Sequence, residues 1–453
     1  MKLVKSLLAT TLAVVIGGAA QAAVSPQEAA KLGTSLTLIG AEKSGNADGS
    51  IPEYTGGLTT PPDTYEKGSS FRPDPFAGET PRLVISGKNA TEHQDKLTVA
   101  TQELLKRFPS YRIDVYPTHR TVALPQRILD NTVKNAVNAM SVEGGVAMEN
   151  ALAGVPFPIP QTGNEVMWNH LLRYQGHALN SKYDSWNVDS SGHASLATTG
   201  NAFLEYPLYD PARTEPAKAN DVYFKTKLYY QGPARRAGEA ILLVDAVNPL
   251  KQPRRGWQYL PGQRRVKLAP DIAYDTPNPG SAGASTYDDA WVFNGALDRF
   301  DFKLVGKKEM YVPYNTYKLN YHKKAADITT PNHVNPDLVR WELHRVWVVE
   351  ATLKPGKRHI YAKRTFYVDE DSWIALAAES YDARGQLFRG SFAHMAYSYD
   401  VQAPNSDNHM FYDFVSGSYN ITGMYGPYGG IKYIEPLSKA KWSAESLAGT
   451  GIR

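Results

Sequence analysis

The chain has 453 residues and a formal net charge of +4, with 21% charged residues, so it lacks the strong basic excess of a nucleic-acid binder. It contains no cysteine, which excludes disulfides, a thiolate metal site and a lipid anchor on a cleavage-point cysteine. Its 28 Tyr, 8 Trp and 14 Phe favour strands and amphipathic contact surfaces, and its 30 Pro and 36 Gly demand many turns, so the expected class is mainly β with a few helices (α+β).

Residues 1–22 read as a secretory signal: Lys2 and Lys5 form the charged region, Leu7 to Ile16 the apolar stretch, and Ala20-Gln21-Ala22 a small-residue cleavage site. The mature chain is expected to start at Ala23 in the periplasm, and loss of Lys2 and Lys5 takes the formal charge from +4 to +2. The apolar stretch is shorter than the roughly 20 residues of a transmembrane helix, and no later segment approaches that length, so the protein is expected not to span the membrane. Ser25-Pro26-Gln27-Glu28 opens a short helix with an N-cap serine, a proline at the first helical position and a capping-box glutamate. From Gly40 to Pro81 the abundance of Gly, Pro, Thr and Asp predicts an extended segment lying over other structure. Val84 to Ser86 and Tyr111 to Tyr116 read as strands around a helix from about Thr91 to Phe108, and a second helix is expected from about Pro125 to Met140. The three prolines between Ala153 and Pro160 remove ladder donors, which predicts an edge or linker there. The domain boundary falls at this point: residues 23–160 form an N-terminal extended and helical region, and residues 161–453 a sheet domain with a C-terminal tail.

Beyond the boundary, strand-like segments recur at hairpin spacing: Val222 to Tyr230, Ala240 to Val247, Gly256 to Leu268, Phe302 to Val312, Trp341 to Leu353, His359 to Val368, Trp373 to Tyr381 and Gln386 to Tyr399. In the fifth of these, Trp341, Leu343, Trp347, Val349, Ala351 and Leu353 share an apolar face, while Glu342, His344, Glu350 and Thr352 share a face expected to be wet. An antiparallel sheet of this length has to curl or be covered, and curling around helices makes a half-barrel. Its inner face then either packs solidly or leaves a cavity, and the residue pattern leaves both outcomes open.

No catalytic residue, metal ligand or cofactor site is assigned. The spacing of His170 and His177 suits neither one helical face nor a strand pair, so both read as surface or hydrogen-bonded histidines. The chain has no nucleophile elbow, Walker loop or dinucleotide fingerprint. Asp369-Glu370-Asp371 reads as a solvated hairpin turn. The pairs Arg254-Arg255 and Arg264-Arg265 admit two readings: exposed strand ends that discourage edge pairing, or guanidinium forks for a phosphate or carboxylate headgroup.

Trp257-Gln258-Tyr259-Leu260-Pro261, followed by Arg265-Val266, resembles the Trp-x-Tyr-Leu-Pro-x-x-x-Arg-Val segment of LolA-like outer-membrane lipoprotein-sorting proteins. The passages Gly33 to Gly57, Arg112 to Arg120, Gly154 to Pro160 and Asn164 to His170 resemble an exported domain-of-unknown-function family related to LolB. Ser285-Thr286-Tyr287-Asp288-Asp289 matches the acidic loop of the sorting proteins more loosely and is assigned no ligand role. The resemblance implies a large curved antiparallel half-barrel over helices, holding a hydrophobic or lipid-like ligand. On this reading the ligand is expected against Trp257, Tyr259, Leu260, Trp341 and Trp347, with Arg264 and Arg265 at its headgroup. It also implies partnership with an inner-membrane transporter of the resistance-nodulation-division (RND) class and an outer-membrane protein. The expected function is therefore a non-enzymatic periplasmic carrier. An exported hydrolase with dispersed active-site residues and a structural adaptor that binds no ligand are the alternatives.

Overall fold

In the computed structural model, which describes residues 24–450, most of the expected strands form and join one sheet, but Gly256 to Leu268 folds as two strands around a turn over Pro261–Gln263, and Gln386 to Tyr399 breaks after Ala393, its residues Ala396–Ser398 pairing outside that sheet. The expected signal segment lies outside the described residues. Helix α1 (Pro26–Ala29) has its capping box in place, with Ser25 and Glu28 bonded reciprocally. Residues 40–81 contain no helix or named strand and run over other structure, as the composition predicts. Strand β1 (Leu83–Ser86) is followed by helix α2 (Val99–Arg107), strand β2 (Arg112–Val115) and helix α3 (Gln126–Asn138). The helix expected from Thr91 is broken in two: a 3-10 segment over Ala90–Lys96 ends at an extended Leu97, and Thr98 caps α2 with its side chain.

A small hairpin, β3 (Met140–Val142) with β4 (Ala147–Glu149), leads into the proline-rich stretch. That stretch is largely buried rather than an edge. Side-chain amides stand in for a strand partner there: Asn135 bonds the backbone of Leu152 and Val155, and Asn169 bonds both backbone groups of Phe157. Helix α4 (Gly163–Leu171) follows, then β5 (Ala178–Val188), β6 (Ala194–Glu205), β7 (Val222–Gly232), β8 (Ala240–Ala246), β9 (Arg255–Leu260) and β10 (Arg265–Leu268). The remainder comprises β11 (Phe300–Pro313), β12 (Arg340–Leu353), β13 (Lys363–Asp369), β14 (Ala375–Tyr381), β15 (Leu387–Ala393), the short pair β16 (Ala396–Ser398) and β17 (Ala403–Asn405), β18 (His409–Asp413), β19 (Ser418–Met424) and β20 (Lys432–Tyr433).

Sixteen of the described strands share one sheet in the order β1-β2-β12-β13-β14-β15-β18-β19-β5-β6-β7-β8-β9-β10, with β11 added on β12 and β20 on β5. Pairing is antiparallel except for a short parallel contact of β2 with β12. The two blocks expected from sequence, β7 to β10 and β11 to β15, are therefore not direct neighbours. The strands β18, β19, β5 and β6 bridge them.

The sheet curls around α4. Trp168 sets its ring edge-on against Tyr223 of β7 with centroids 5.9 Å apart, and His170, two residues on, accepts from the Ala375 amide of β14 at 3.0 Å. These strands stand six steps apart in the sheet order, which in a flat sheet would separate them by roughly 29 Å at about 4.8 Å per strand. One helical turn reaches both only because the sheet wraps round it. It stays open, its path ending at β1 and β10. One apolar cluster runs from Ile39 through Trp168 to Ile431, so the N-terminal region packs into the same core as the sheet.

Two surfaces expected to be wet are buried in part or in whole: on β12 Thr352 is exposed and Glu350 half-buried as expected, but the other half of that face is dry. Glu342 and His344 of β12 are buried at 0% and 1% exposure, because the N-terminal segment covers this face. The His119 amide and the Asn315 side chain donate to Glu342, the Tyr314 ring stacks on His344, and Arg120, next to His119, reaches the carbonyls of Lys43 and Pro52. Asp369-Glu370-Asp371, expected as a solvated turn, is likewise buried at the corner between β13 and β14. A hairpin corner favours acidic residues for its geometry, and Arg120, Arg345 and Lys307 make their burial tolerable by pairing with Glu370 and Asp371.

Candidate ligand-binding site

Residues 269–298 form no strand of the sheet and lie across its inner face. Ile272 and Tyr287 of this cover pack on Tyr230, Ile241 and Leu243 of β7 and β8. Beneath the cover is a cavity of about 80 Å³, lined by Tyr183, Leu204, Leu228, Tyr230, Trp291 and His409 among others. Small-molecule sites typically span about 300–1,000 Å³. In this closed arrangement the cavity is well below that range.

Trp291 is the plug. Its indole Nε1 donates to Asp407 at 3.0 Å, its backbone N–H donates to His409 Nε2 at 3.2 Å, and its ring meets Phe224 edge-on at 5.6 Å. His409 Nδ1 donates to the Asp407 carbonyl at 2.8 Å, which leaves Nε2 as the acceptor. Burial holds the His409 imidazole neutral, with its pKa pushed down to about 4, and pushes the Asp407 carboxyl up. Trp291 and Val292 both sit in the left-handed region, at φ 53° and 72°. A β-branched residue there is strained, by about 1–3 kcal/mol, so the surroundings must hold the cover in place.

A buried ionic clamp does so. The acidic pair Asp288-Asp289 lies at the middle of the cover, and Asp289 accepts from Arg364 at 2.9 Å, Arg389 at 3.3 Å and Tyr361 at 2.8 Å. Asp288 accepts from His359 at 3.0 Å and faces Arg364 at 3.3 Å. Burial acts to raise the Asp288 pKa, but Arg364 and His359 outweigh it and hold the carboxyl below the usual carboxylate range. Arg364 is fully buried and also cradled by the rings of Phe293, Tyr361 and Phe366. Near one end of the cover, the Asn294 carbonyl accepts from Arg254, whose guanidinium is paired with Asp245 at 2.6 and 2.7 Å.

The residues singled out from sequence are dispersed. Trp257 and Tyr259 share a face, as alternation requires, and that face packs with Leu242, Trp442 and Leu447 beneath the C-terminal tail, opposite the cover. Leu260 is half-buried and ends β9 where a 3-10 turn over Pro261–Gln263 begins. Trp341 is buried against Phe392, and Trp347 stacks on Trp373 with the Lys307 ammonium 4.7 Å above its ring. Arg264 and Arg265 are exposed at the β9–β10 turn. None of the seven lines the cavity under the cover. Most of the lining instead comes from β5, β6, β7, β18 and the cover, and its sequence signal is only the alternation Leu179, Ser181, Tyr183, Ser185 along β5. His170, read from sequence as a surface or hydrogen-bonded histidine, is the latter: it is buried and staples three elements, α4 itself, the cover through the Phe293 carbonyl at 2.9 Å, and β14.

A second opening lies at the surface, between the N-terminal segment and the sheet. A groove of about 700 Å³ runs between residues 71–79 and the start of β12, with Phe71, Phe76, Tyr116, Tyr317 and Tyr321 in its walls and Lys323 at its rim. No residue of this groove was singled out from sequence, because its walls come from irregular segments far apart in the chain.

The model of the family described as "Protein of unknown function (DUF1329)" matches residues 84–448. The Uncharacterized protein PA3922 of Pseudomonas aeruginosa is 45% identical over 406 residues, covering 89% of this chain and 88% of that protein. Among solved structures, a candidate outer membrane lipoprotein-sorting protein domain from Vibrio parahaemolyticus aligns with a TM-score of 0.44 and 14% identity, over 63% of this chain and 97% of that one. A DUF1329 family protein from Desulfovibrio piger aligns with a TM-score of 0.41 and 15% identity, over 60% of this chain and 92% of that one.

Proposed function

The chain belongs to the DUF1329 family, and from that premise we propose that it is a periplasmic carrier that takes a hydrophobic or lipid-like ligand beneath the 269–298 cover. The observation that supports this reading is the cover itself: a strandless segment, clamped by side chains, that seals an apolar pocket on the inner face of a curled sheet. The closed cavity admits no acyl chain, so loading displaces Trp291 and opens the cover. Burying ten methylenes contributes about 8 kcal/mol, at roughly 0.8 kcal/mol each, which offsets a displacement costing a few kcal/mol. No covalent chemistry is needed. The ligand passes between an inner-membrane RND-type transporter and the outer membrane, and partners that favour the open cover load and release it. Arg264 and Arg265, exposed at a hairpin turn, are available to an acidic headgroup or to such a partner.

The volume of the outer groove, about 700 Å³, favours a second placement of the ligand there. One titration separates the two. Ala202 lines the inner cavity and is buried, so Ala202→Phe fills that space. Wild-type protein is expected to bind a fluorescent fatty-acid analogue with quenching of tryptophan emission, and the variant to bind it at least tenfold more weakly. Equal binding by both moves the ligand to the groove, and no binding by either removes the carrier reading.

A further inference from the structure

We propose that His344, Asp369 and Asp371 form a binding site for one divalent metal ion of the zinc or manganese class. Each offers a donor atom, the three atoms lie within 4.8 Å of one another, and all three residues are buried. The site lies between β12 and the β13–β14 corner, on the opposite side of β12 from the apolar row that carries Trp341 and Leu343.

The hydrogen bonding fixes which atoms are free to ligate. His344 Nε2 lies 2.9 Å from Glu342, whose carboxylate also accepts from Arg340 and from the His119 amide. A carboxylate so occupied can only accept, so the imidazole proton sits on Nε2 and the lone pair on Nδ1. A histidine whose far nitrogen donates to a carboxylate is the usual orientation of a metal ligand. Nδ1 faces Asp369 Oδ1 at 4.0 Å, so two acceptors confront each other in a buried space. Asp369 Oδ2 accepts from Tyr314 at 3.1 Å and from the amide and hydroxyl of Ser372 at 2.8 and 2.6 Å. Oδ1 has no hydrogen-bond partner, although Asp369 is fully buried. Such an atom is costly unless a donor or cation meets it.

The charges around the site point the same way. Arg340 pairs with Glu342, Lys307 and Arg345 with Glu370, and Arg120 with both Asp371 and Glu370. Among the described residues, Asp369 is the carboxylate of this group with no arginine or lysine pairing with it, and its one ion-pair contact is the His344 imidazole. A divalent ion supplies that charge. One imidazole nitrogen with two carboxylate oxygens suits zinc or manganese, at bond lengths of about 2.0–2.2 Å. Closing to that distance needs shifts of about an ångström, within reach of side-chain rotation at Asp369 and Asp371. The ion would tie β12 to the β13–β14 corner and, through Arg120, to the Lys43 and Pro52 carbonyls of the N-terminal segment.

The test uses the full mature chain, stripped with chelator and dialysed against micromolar Zn2+ or Mn2+, with bound metal counted by mass spectrometry. The informative variant is Asp369→Asn, whose carbonyl keeps the Tyr314 and Ser372 donors while its amide donates toward His344. Wild-type protein is expected to take up one ion per chain, and the variant to show at least a tenfold loss of affinity. The midpoint of thermal unfolding is expected to rise with metal in the wild type alone. No stoichiometric uptake by the wild type, or equal uptake by a folded variant, overturns the site. Should the variant not fold, X-ray absorption of the metal-loaded wild type decides: one imidazole with oxygen donors supports the assignment, and two or more imidazoles, as a surface site would give, overturn it.

Discussion

Asp289→Asn strikes the clamp that holds the cover closed. The wild-type carboxylate accepts from Arg364, Arg389 and Tyr361 at 1% exposure. Removing one partner of a buried ion pair costs about 3–5 kcal/mol, because the remaining charges stay buried. The lower end applies here: Arg364 keeps Asp288 at 3.3 Å and the Val292 carbonyl, and the asparagine oxygen still accepts one donor. The expected loss is therefore about 3 kcal/mol. If that loss falls on cover opening rather than on the whole fold, amides between Tyr274 and Asn294 should exchange hydrogen roughly 100-fold faster, at about 1.4 kcal/mol per factor of ten. Amides of β12 and β13 should change far less. Hydrogen-exchange mass spectrometry with urea unfolding reads both quantities. A stability change below about 1 kcal/mol with unchanged exchange in the cover would refute the clamp.

Three further outcomes are expected. Burial holds His394 and His409 neutral, with pKa values pushed from 6.5 down to about 4, so the unfolded chain takes up protons below pH 6.5 while the folded chain does not. Stability should be full above pH 6.5 and fall as pH drops from 6.5 to 4, by on the order of 3 kcal/mol per histidine, and a flat urea-unfolding profile across that window would contradict it. Gly40→Ala should abolish stable folding or cost more than about 4 kcal/mol, since φ is +91° and the new Cβ would lie 1.7 Å from the Pro158 carbonyl oxygen; Gly49→Ala, at φ +73° with open space around it, should cost only about 1–2 kcal/mol by thermal unfolding. Replacing Arg264 and Arg265 together by lysine should shift stability by less than about 0.5 kcal/mol yet weaken capture of an acidic lipid, and unchanged capture in a vesicle assay would return the pair to solvated strand ends.

The strands most legible in sequence were those with a clean apolar alternation, such as β12, or a continuous apolar run, such as β8. Strands β5 and β6 escaped because their buried positions include Ser181, Ser185 and Thr198, hydroxyls that read as loop residues. Missing them, together with β18 and β19, hid the bridge between the two visible blocks, and with it part of the cavity lining. Half of the wet face expected of β12 failed for a related reason: Glu342 and His344 look like solvent-facing residues until His119, 223 positions earlier, is seen to bond Glu342. The acidic corner at Asp369 misled in the same way, since turn chemistry accounts for such residues without requiring the arginine that reaches them from position 120. Periodicity reports local faces. Which face another part of the chain covers is a long-range fact that no window of sequence contains.

The carrier account is tested most directly by solvent extraction of protein purified from its native host, followed by mass spectrometry of the extract. A lipid or other apolar molecule should co-purify at a substantial fraction of one per chain from the wild type and at a much lower level from Ala202→Phe. An extract without such a molecule, from protein that also fails to take up apolar probes, would contradict the account.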